Sequence, residues 1–413
     1  MAKKTSPVGV RIGLRGIAQA TVDGAGVVHP DEWRGAECGW WVAASDRWHD
    51  PRKEPSIRQR QIDGTPVVET KVAVPNGDVV QRVYVVADQG GCLVMQVDNN
   101  SPQPVAIAVP TASLSSTAAA GGAVPQGVCV PDGVSAFPLA HRSSITFAWP
   151  LERSRFGRRR AARPIEMGLL PSSDQVVRGW VQSGERASRL TVASHRLVSA
   201  RSTILMASAR DIDDLLQSSA SLGVLAIGER VRMGDPAREW VSPVADAVQR
   251  IARKPSPSRW SARALVLAAH VFARAEETAA VSDAVRVWQR LLDTGSLPFV
   301  PPTDTGEQRG DLDGAVEFLS AAEEQFVRAD APLHANLLPG GIPAEIRGVN
   351  AEAHGLIASP QHRISLAMRW HGENVALLWE VEGPPGLLLH APQVDASFAT
   401  SQAQGEALLR VAP

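Results

Sequence analysis

The hydrophobic period of this chain changes twice, and that constrains its fold more than any single motif. Up to about residue 205 the apolar residues come in short β-branched runs: TPVVETKVAVP (65–75), VVQRVYVVA (79–87), CLVMQVD (92–98) and PVAIAVP (104–110). The turn clusters PNGD (75–78), DQGG (88–91) and DNNSPQP (98–104) separate them. Runs rich in Val and Ile, broken by Gly, Asn and Pro, predict consecutive antiparallel strands. Val83 and Val85 fall on one face of such a strand, Arg82 and Tyr84 on the other, as expected where one side is wetter. Further strands are expected over 143–149, 175–182 and 189–205, and so many short strands pack most economically as a sandwich.

In the middle of the chain the spacing becomes three and four. Trp240, Val244, Val248 and Ile251 form one stripe; Trp260, Ala264, Leu267 and Val271 form a second. Val281, Val285, Trp288 and Leu292 make a third, and Leu312, Val316, Leu319 and Phe326 a fourth. These are amphipathic helices. Asp235-Pro236 reads as a helix start and Gly295 as a stop. Beyond residue 332 the alternation returns in RISLAMRW (363–370), NVALLWEV (374–381) and GLLLHAP (386–392). The expected architecture is multidomain, β then α then β. An N-terminal antiparallel β-sandwich covers 1–206, a central helical block (half-toroid or bundle) 207–331, and a small C-terminal β-sheet domain 332–413. Segregated blocks of this kind exclude a doubly wound sheet.

Composition narrows the function classes. With 42 basic and 43 acidic residues the net charge is −1, so no overall field draws the chain to nucleic acid or to an anionic membrane. The same balance leaves self-association unopposed, and a homo-oligomer is compatible with it. No run approaches the ~20 apolar residues of a membrane span, and MAKKTSPVGVRIGLRG lacks the apolar core of a secretory signal. Cys38, Cys92 and Cys129 are too scattered for a disulfide framework or a metal knuckle. Reduced thiols and a cytoplasmic location are expected.

Catalytic and cofactor fingerprints are missing from the sequence. It contains no Walker loop, no Rossmann glycines, no GxSxG elbow and no HExxH, so no cofactor is expected. His354, His362, His371 and His390 lack metal-ligand spacing, and no metal is expected either. The Arg-rich ERSRFGRRRAARP (152–164) reads as a solvated connector, with anion or partner contact as the alternative. His270, within LVLAAHVFA, reads as a satisfied core histidine; Asp313, Glu317 and Glu324 read as the wet face of a helix.

Ligand contacts have two candidate locations. Four tryptophans fall in the first fifty residues, and SDRWHDPRKEPSIRQR (45–60) sets charged groups beside them. Trp41, Arg47, Trp48, His49 and Asp50 are what a cleft for a polar, flat-faced ligand would use, or a sandwich edge facing a helical block. Glu239 beside Trp240 is the second candidate, with a carboxylate next to an indole suiting a sugar ring. Its plain reading is an acidic residue complementing a helix dipole and an indole in an apolar stripe.

Two stretches carry a family resemblance. VVETKVAVPNGDVVQRVYVVADQGGCLVMQVDNNSPQPVAIAV is one; LHANLLPGGIPAEIRGVNAEAHG followed by ISLAMRWHGENVALLWEV is the other. Together with the β–α–β order they resemble glycoside hydrolases and phosphorylases built on an (α/α)6 toroid, over roughly three fifths of the chain. The resemblance implies an N-terminal super-sandwich, a helical toroid, a closing β domain and a saccharide ligand. Twelve helices would need about 200 residues. The block over 207–331 holds four helices, with room for a fifth, so the helical domain is a reduced one. No acidic pair matches the family's catalytic pattern, and no catalytic residue is carried over. Two function classes follow. One is a carbohydrate-active or carbohydrate-binding protein, catalytically degenerate in one version. The other is a non-catalytic interaction protein whose helical block docks a partner or a second copy, because half a toroid leaves an apolar face to bury.

Overall fold

The computed structural model describes residues 9–14, 18–33, 36–121, 133–151, 164–192, 194–254, 256–294 and 311–410. The Arg-rich stretch 152–163, Cys129 and Gly295 lie outside them. The layout is antiparallel sheets, then helices, then sheets, and the chain divides into two compact units, Met1–Val181 and Gln182–Pro413.

The first unit contains β1 (Gly9–Leu14), β2 (Ala18–Asp23), β3 (Val28–Pro30), β4 (Trp41–Ala43), β5 (Trp48–His49), β6 (Arg58–Gln61) and β7 (Val68–Val74). It continues with β8 (Gly77–Val86), β9 (Cys92–Asn99), β10 (Val105–Pro110), β11 (Ser115–Ser116), β12 (Val134–Leu139) and β13 (Ser144–Pro150). They form a three-stranded sheet β1-β2-β3, a four-stranded sheet β12-β10-β4-β5 and a six-stranded sheet β11-β13-β9-β8-β7-β6. Side chains alternate along each strand, so every second residue enters the shared core. Val83, Val85, Leu93, Met95, Phe147 and Trp149 meet Ile107 and Phe137 there. Phe137 and Phe147 stack edge-on, ring centres 5.0 Å apart.

The other face of the six-stranded sheet is wet at one end, where Arg58, Arg60, Lys71 and Arg82 stay partly or largely exposed, and covered at the other. Tyr84, Val86, Cys92, Val94 and Ala148 form a second core with Ile165 and Val177, and the Tyr84 hydroxyl donates to Pro171 O at 2.9 Å. What covers them is helix α1 (Ser173–Glu185), where the sequence reading placed a strand over 175–182. The local signal for the helix is S-x-x-Q. Gln175 accepts from Ser172 N at 2.8 Å, and Val177 and Val181 pack at helical spacing. The strand expected over 189–205 is also corrected. Only β14 (Arg189–Leu190) is extended, and α2 (Ser194–Met206) follows, burying Leu197, Ala200, Arg201 and Ile204 at helical spacing.

The second unit continues with α3 (Ala209–Ser218), α4 (Ala220–Met233), α5 (Val241–Arg253), α6 (Ser261–Arg274), α7 (Thr278–Asp293) and α8 (Leu312–Glu324). α4 is central: every residue from Ser221 to Met233 is buried, with α2, α3, α5, α6 and α8 packed around it. Two glycines permit this. A Cβ on Gly223 would fall 2.5 Å from the Leu216 side chain, and one on Gly228 3.0 Å from Leu267. Strands β15 (Val327–Ala331), β16 (His334–Leu337), β17 (Ala351–Ser359), β18 (His362–His371) and β19 (Asn374–Glu382) follow. β20 (Leu388–Ala391), β21 (Asp395–Thr400) and β22 (Gln404–Leu409) end the unit. They form a five-stranded sheet β14-β17-β18-β19-β22 and a four-stranded sheet β15-β16-β20-β21. One continuous apolar core joins the helices to both sheets.

Candidate functional site

Three arrangements of charged and polar side chains stand out, and they differ in access to solvent. The first is sealed. Glu229, Arg230 and Arg232 of α4 lie in the helix's buried second half and need partners where they are. Glu323, fully buried at the end of α8, supplies one. Arg232 grips it with both Nη atoms, at 2.9 and 3.0 Å, and Arg263 Nη2 and Ser188 Oγ donate to it at 2.5 Å each. Arg201 adds a longer contact of 3.3 Å, and Glu229 pairs with Arg232. Burial alone would raise the Glu323 carboxyl, but Arg232, Arg263 and Arg201 hold it well below its ordinary value. Each of its charged groups is less than a tenth exposed, and the cluster organises the core.

The second arrangement is the hairpin of β4 and β5. Val42 faces His49 and Ala43 faces Trp48. Trp41 and Trp48 are half-buried. The Trp41 ring lies over Gly39, where an added Cβ would meet it at 2.9 Å. Arg47 holds Glu54 in a two-pronged pair at 2.6 and 3.0 Å. His49 reaches Glu54 with Nδ1 at 3.2 Å and Asp46 with Nε2 at 3.1 Å. Arg47 pulls the Glu54 carboxyl below its usual range. Asp50 caps the turn Pro51–Lys53, accepting from Arg52 N. The structure thus brings Arg47, Trp48 and His49 together, and adds Glu54, which the sequence reading did not single out. Glu54 lies five residues after His49, and the turn over Pro51–Lys53 folds the chain back so that they become neighbours.

Glu239 and Trp240 belong to the second unit, on a single 3-10 turn over Ala237–Trp240. Glu239 is exposed. Trp240 is 5% exposed, its ring 5.7 Å from the Arg230 guanidinium. Asp235 accepts from Arg230 Nε at 2.7 Å. His270 is held neutral: burial, with Arg232, Arg363 and Arg274 nearby, lowers it to about 3. The face assigned to solvent on α8 is drier than expected, because Glu317 accepts from Trp260 Nε1 at 3.0 Å and Glu324 is only partly exposed.

The third arrangement is open. α3 and α5 border a groove of about 550 Å³ lined by Asp213, Gln217, Ser242, Asp246, Gln249 and Arg253, with Arg250 beside them. Leu216 and Pro243 add small apolar patches. Arg250 is set in place by donating to Leu216 O at 2.8 Å. The α5 stripe turns Val244, Ala247, Val248 and Ile251 inward, so Ser242, Asp246, Gln249 and Arg253 must face out. No sequence motif marks this groove; it exists because two helix faces meet. Among the described residues no cluster of His, Cys, Asp or Glu could hold a metal, and no helix is long and apolar enough to cross a membrane.

No protein-family model matches the chain, and no curated protein matches it either. Among solved structures it is similar to a family GH92 alpha-mannosidase from Bacteroides thetaiotaomicron, at 7% identity and a TM-score of 0.17. The match covers 74% of this chain and 62% of that one. At that score the likeness says nothing about the groove.

Proposed function

We propose that this protein binds a short, neutral saccharide in the groove between α3 and α5. The observation that carries the reading is the groove's lining. Asp213 and Asp246 stand with Arg250 and Arg253, so the charges cancel, while Gln217, Gln249 and Ser242 add donors and acceptors. An anion would meet the two carboxylates and a cation the two guanidiniums. A polyhydroxylated ligand, whose hydroxyls both donate and accept, suits such a lining, with Leu216 and Pro243 available for a ring face. The hairpin of Trp41, Arg47, Trp48, His49 and Asp50 is a poorer host, because Arg47 and His49 are already paired.

Calorimetric titration with neutral and acidic oligosaccharides tests the proposal, using the full chain. Saturable binding of a neutral oligomer, weakened about tenfold or more by Asp246→Ala, is expected. Heatless titrations across the whole panel would sink it.

Self-association is the second reading, and one observation favours it. Leu378 and Leu408 are 36% and 57% exposed on the outer face of β19 and β22. Sedimentation velocity on wild type and Leu408→Glu decides it: a dimer that the substitution dissociates supports the reading, and a monomer at all concentrations removes it.

A further inference from the structure

The sealed cluster in the second unit does not balance its own charge. Arg201, Arg232 and Arg263 stand against Glu229 and Glu323, leaving one positive charge in surplus out of water. Such a surplus needs a counter-charge nearby. Arg263 also lines a cavity of about 30 Å³ bordered by α6, α7, α8 and β15, together with Arg259, Arg328 and Glu324 over Val266 and Leu292. A water needs roughly 10–15 Å³ of such space, so the cavity has room for two waters or one small ion.

The three arginines and the carboxyl group are differently engaged. Arg259 pairs with Glu317 at 2.9 Å and Arg328 with Asp330 at 3.4 Å. Arg263 gives Nη2 to Glu323, while its buried Nε has no partner. Glu324 follows Glu323 on α8 and lines the cavity. We infer that this cavity is a binding site for one small monovalent anion, a halide or a nitrate-sized oxyanion, taken up together with a proton on Glu324. Ionised, Glu324 supplies the missing negative charge itself. Protonated, it leaves the surplus in place and offers an O–H donor, and the anion takes over as counter-charge.

Every charged group around Glu324 bears on that exchange. Arg263 lines the cavity from α6 and Arg259 from the turn before it, Arg328 and Asp330 stand on β15, Glu323 is its helix neighbour, and among the described residues α7 contributes Leu292 alone to the lining. Burial raises the Glu324 carboxyl, Arg263 and Arg328 oppose, and Glu323 and Asp330 push it further up. The carboxyl therefore takes a proton more readily than an exposed glutamate does. This site shares no residue with the groove between α3 and α5, so either can fail without the other.

Nitrate and bromide titrations at constant ionic strength, with gluconate as the bulky replacement, test the inference on the full chain. Melting temperature should rise saturably with nitrate, with binding about tenfold tighter near pH 5 than near pH 8. Calorimetry in two buffers of different ionisation heat should register uptake of about one proton per anion near pH 8. Glu324→Gln, permanently neutral, should bind nitrate equally at both pH values and take up no proton. Absence of saturable stabilisation in the wild type would overturn the inference. So would saturable binding that is independent of pH and takes up no proton, a result readable in the wild type even if the variant fails to fold.

Discussion

Glu54 and Glu323 solve one problem in two settings. Each is a buried carboxylate, 8% and 0% exposed, and each is gripped by an arginine through both of its Nη atoms. They differ in what surrounds the arginine. Arg47 is 55% exposed, so water solvates it whether or not Glu54 is there. Arg232 is 1% exposed, with Arg201 and Arg263 also out of water, and none of the three can turn to solvent if Glu323 is lost. The worth of a pair thus depends less on its distances than on where the abandoned partner would go.

The sharpest way to break the comparison is Glu323→Gln. The amide keeps the shape and removes the charge, stranding three guanidiniums in the core. A loss of about 3–5 kcal/mol in urea unfolding is expected, with a native-like spectrum if the chain still folds. A loss no greater than that of an exposed substitution would mean the cluster is hydrated and the contrast with Glu54 is wrong.

Acid should separate the two next. The arginines depress the folded-state value of Glu323 below the unfolded value of about 4.3. Its contribution is therefore complete above that pH and is lost as pH falls toward the folded value. Glu324 runs the other way: its carboxyl is raised, so its contribution declines as pH climbs from about 4.3 through the folded value. Urea midpoints measured against pH should fall steeply on the acid side in wild type and more gently in Glu323→Gln. Parallel curves would remove Glu323 as the source of the acid slope.

How far these features could be read from sequence follows from how local their causes are. The order of strands and helices was legible because alternation and three-four spacing are local. So was the turn between β7 and β8, where Asn76 takes a positive φ of 64°. The strand misread over 175–182 had a local signal too, the S-x-x-Q pair Ser172 and Gln175, masked by the valines of QVVRGWVQ. Tyr84 read as facing a wetter side because its partner, Pro171, lies 87 residues away and nothing near Tyr84 announces it. The ion cluster was opaque for the same reason. Glu323 and Glu324 are neighbours on α8, and only packing against α4, α2 and α6 decides which is sealed in. Pairing Glu323 with Arg232 across 91 residues is a tertiary fact, and so is the groove, assembled from two separately unremarkable polar helix faces.

Glu54→Ala sharpens the comparison from its weak side. The Glu54 carboxyl is depressed chiefly by its hydrogen bonds from Arg47, and the sign of its pH effect matches that of Glu323. Its loss should nevertheless be several-fold smaller than that of Glu323→Gln. Salt supplies the control: at about 1 M the screening length falls to ~3 Å. The Glu54→Ala effect should shrink there, and the Glu323→Gln effect should persist. Equal salt sensitivity would show that both sites see the same solvent.

Arg253→Ala should disturb the fold least of all. Arg253 is exposed at the last turn of α5, and the α5 stripe of Val244, Ala247, Val248 and Ile251 packs without it. Stability should stay within about 0.5 kcal/mol of wild type, since removing an exposed arginine strands nothing. Its place in the groove makes a different demand. If a neutral saccharide is held there, deleting one cation leaves Asp213 and Asp246 opposed only by Arg250, which is already donating to Leu216 O. Affinity for the neutral ligand should then drop about tenfold, while cationic sugars such as glucosamine oligomers should gain. That reversal separates a balanced polar site from an inert surface. An inert surface would show neither change, and the open groove would then stand on the same footing as any other solvated helix face.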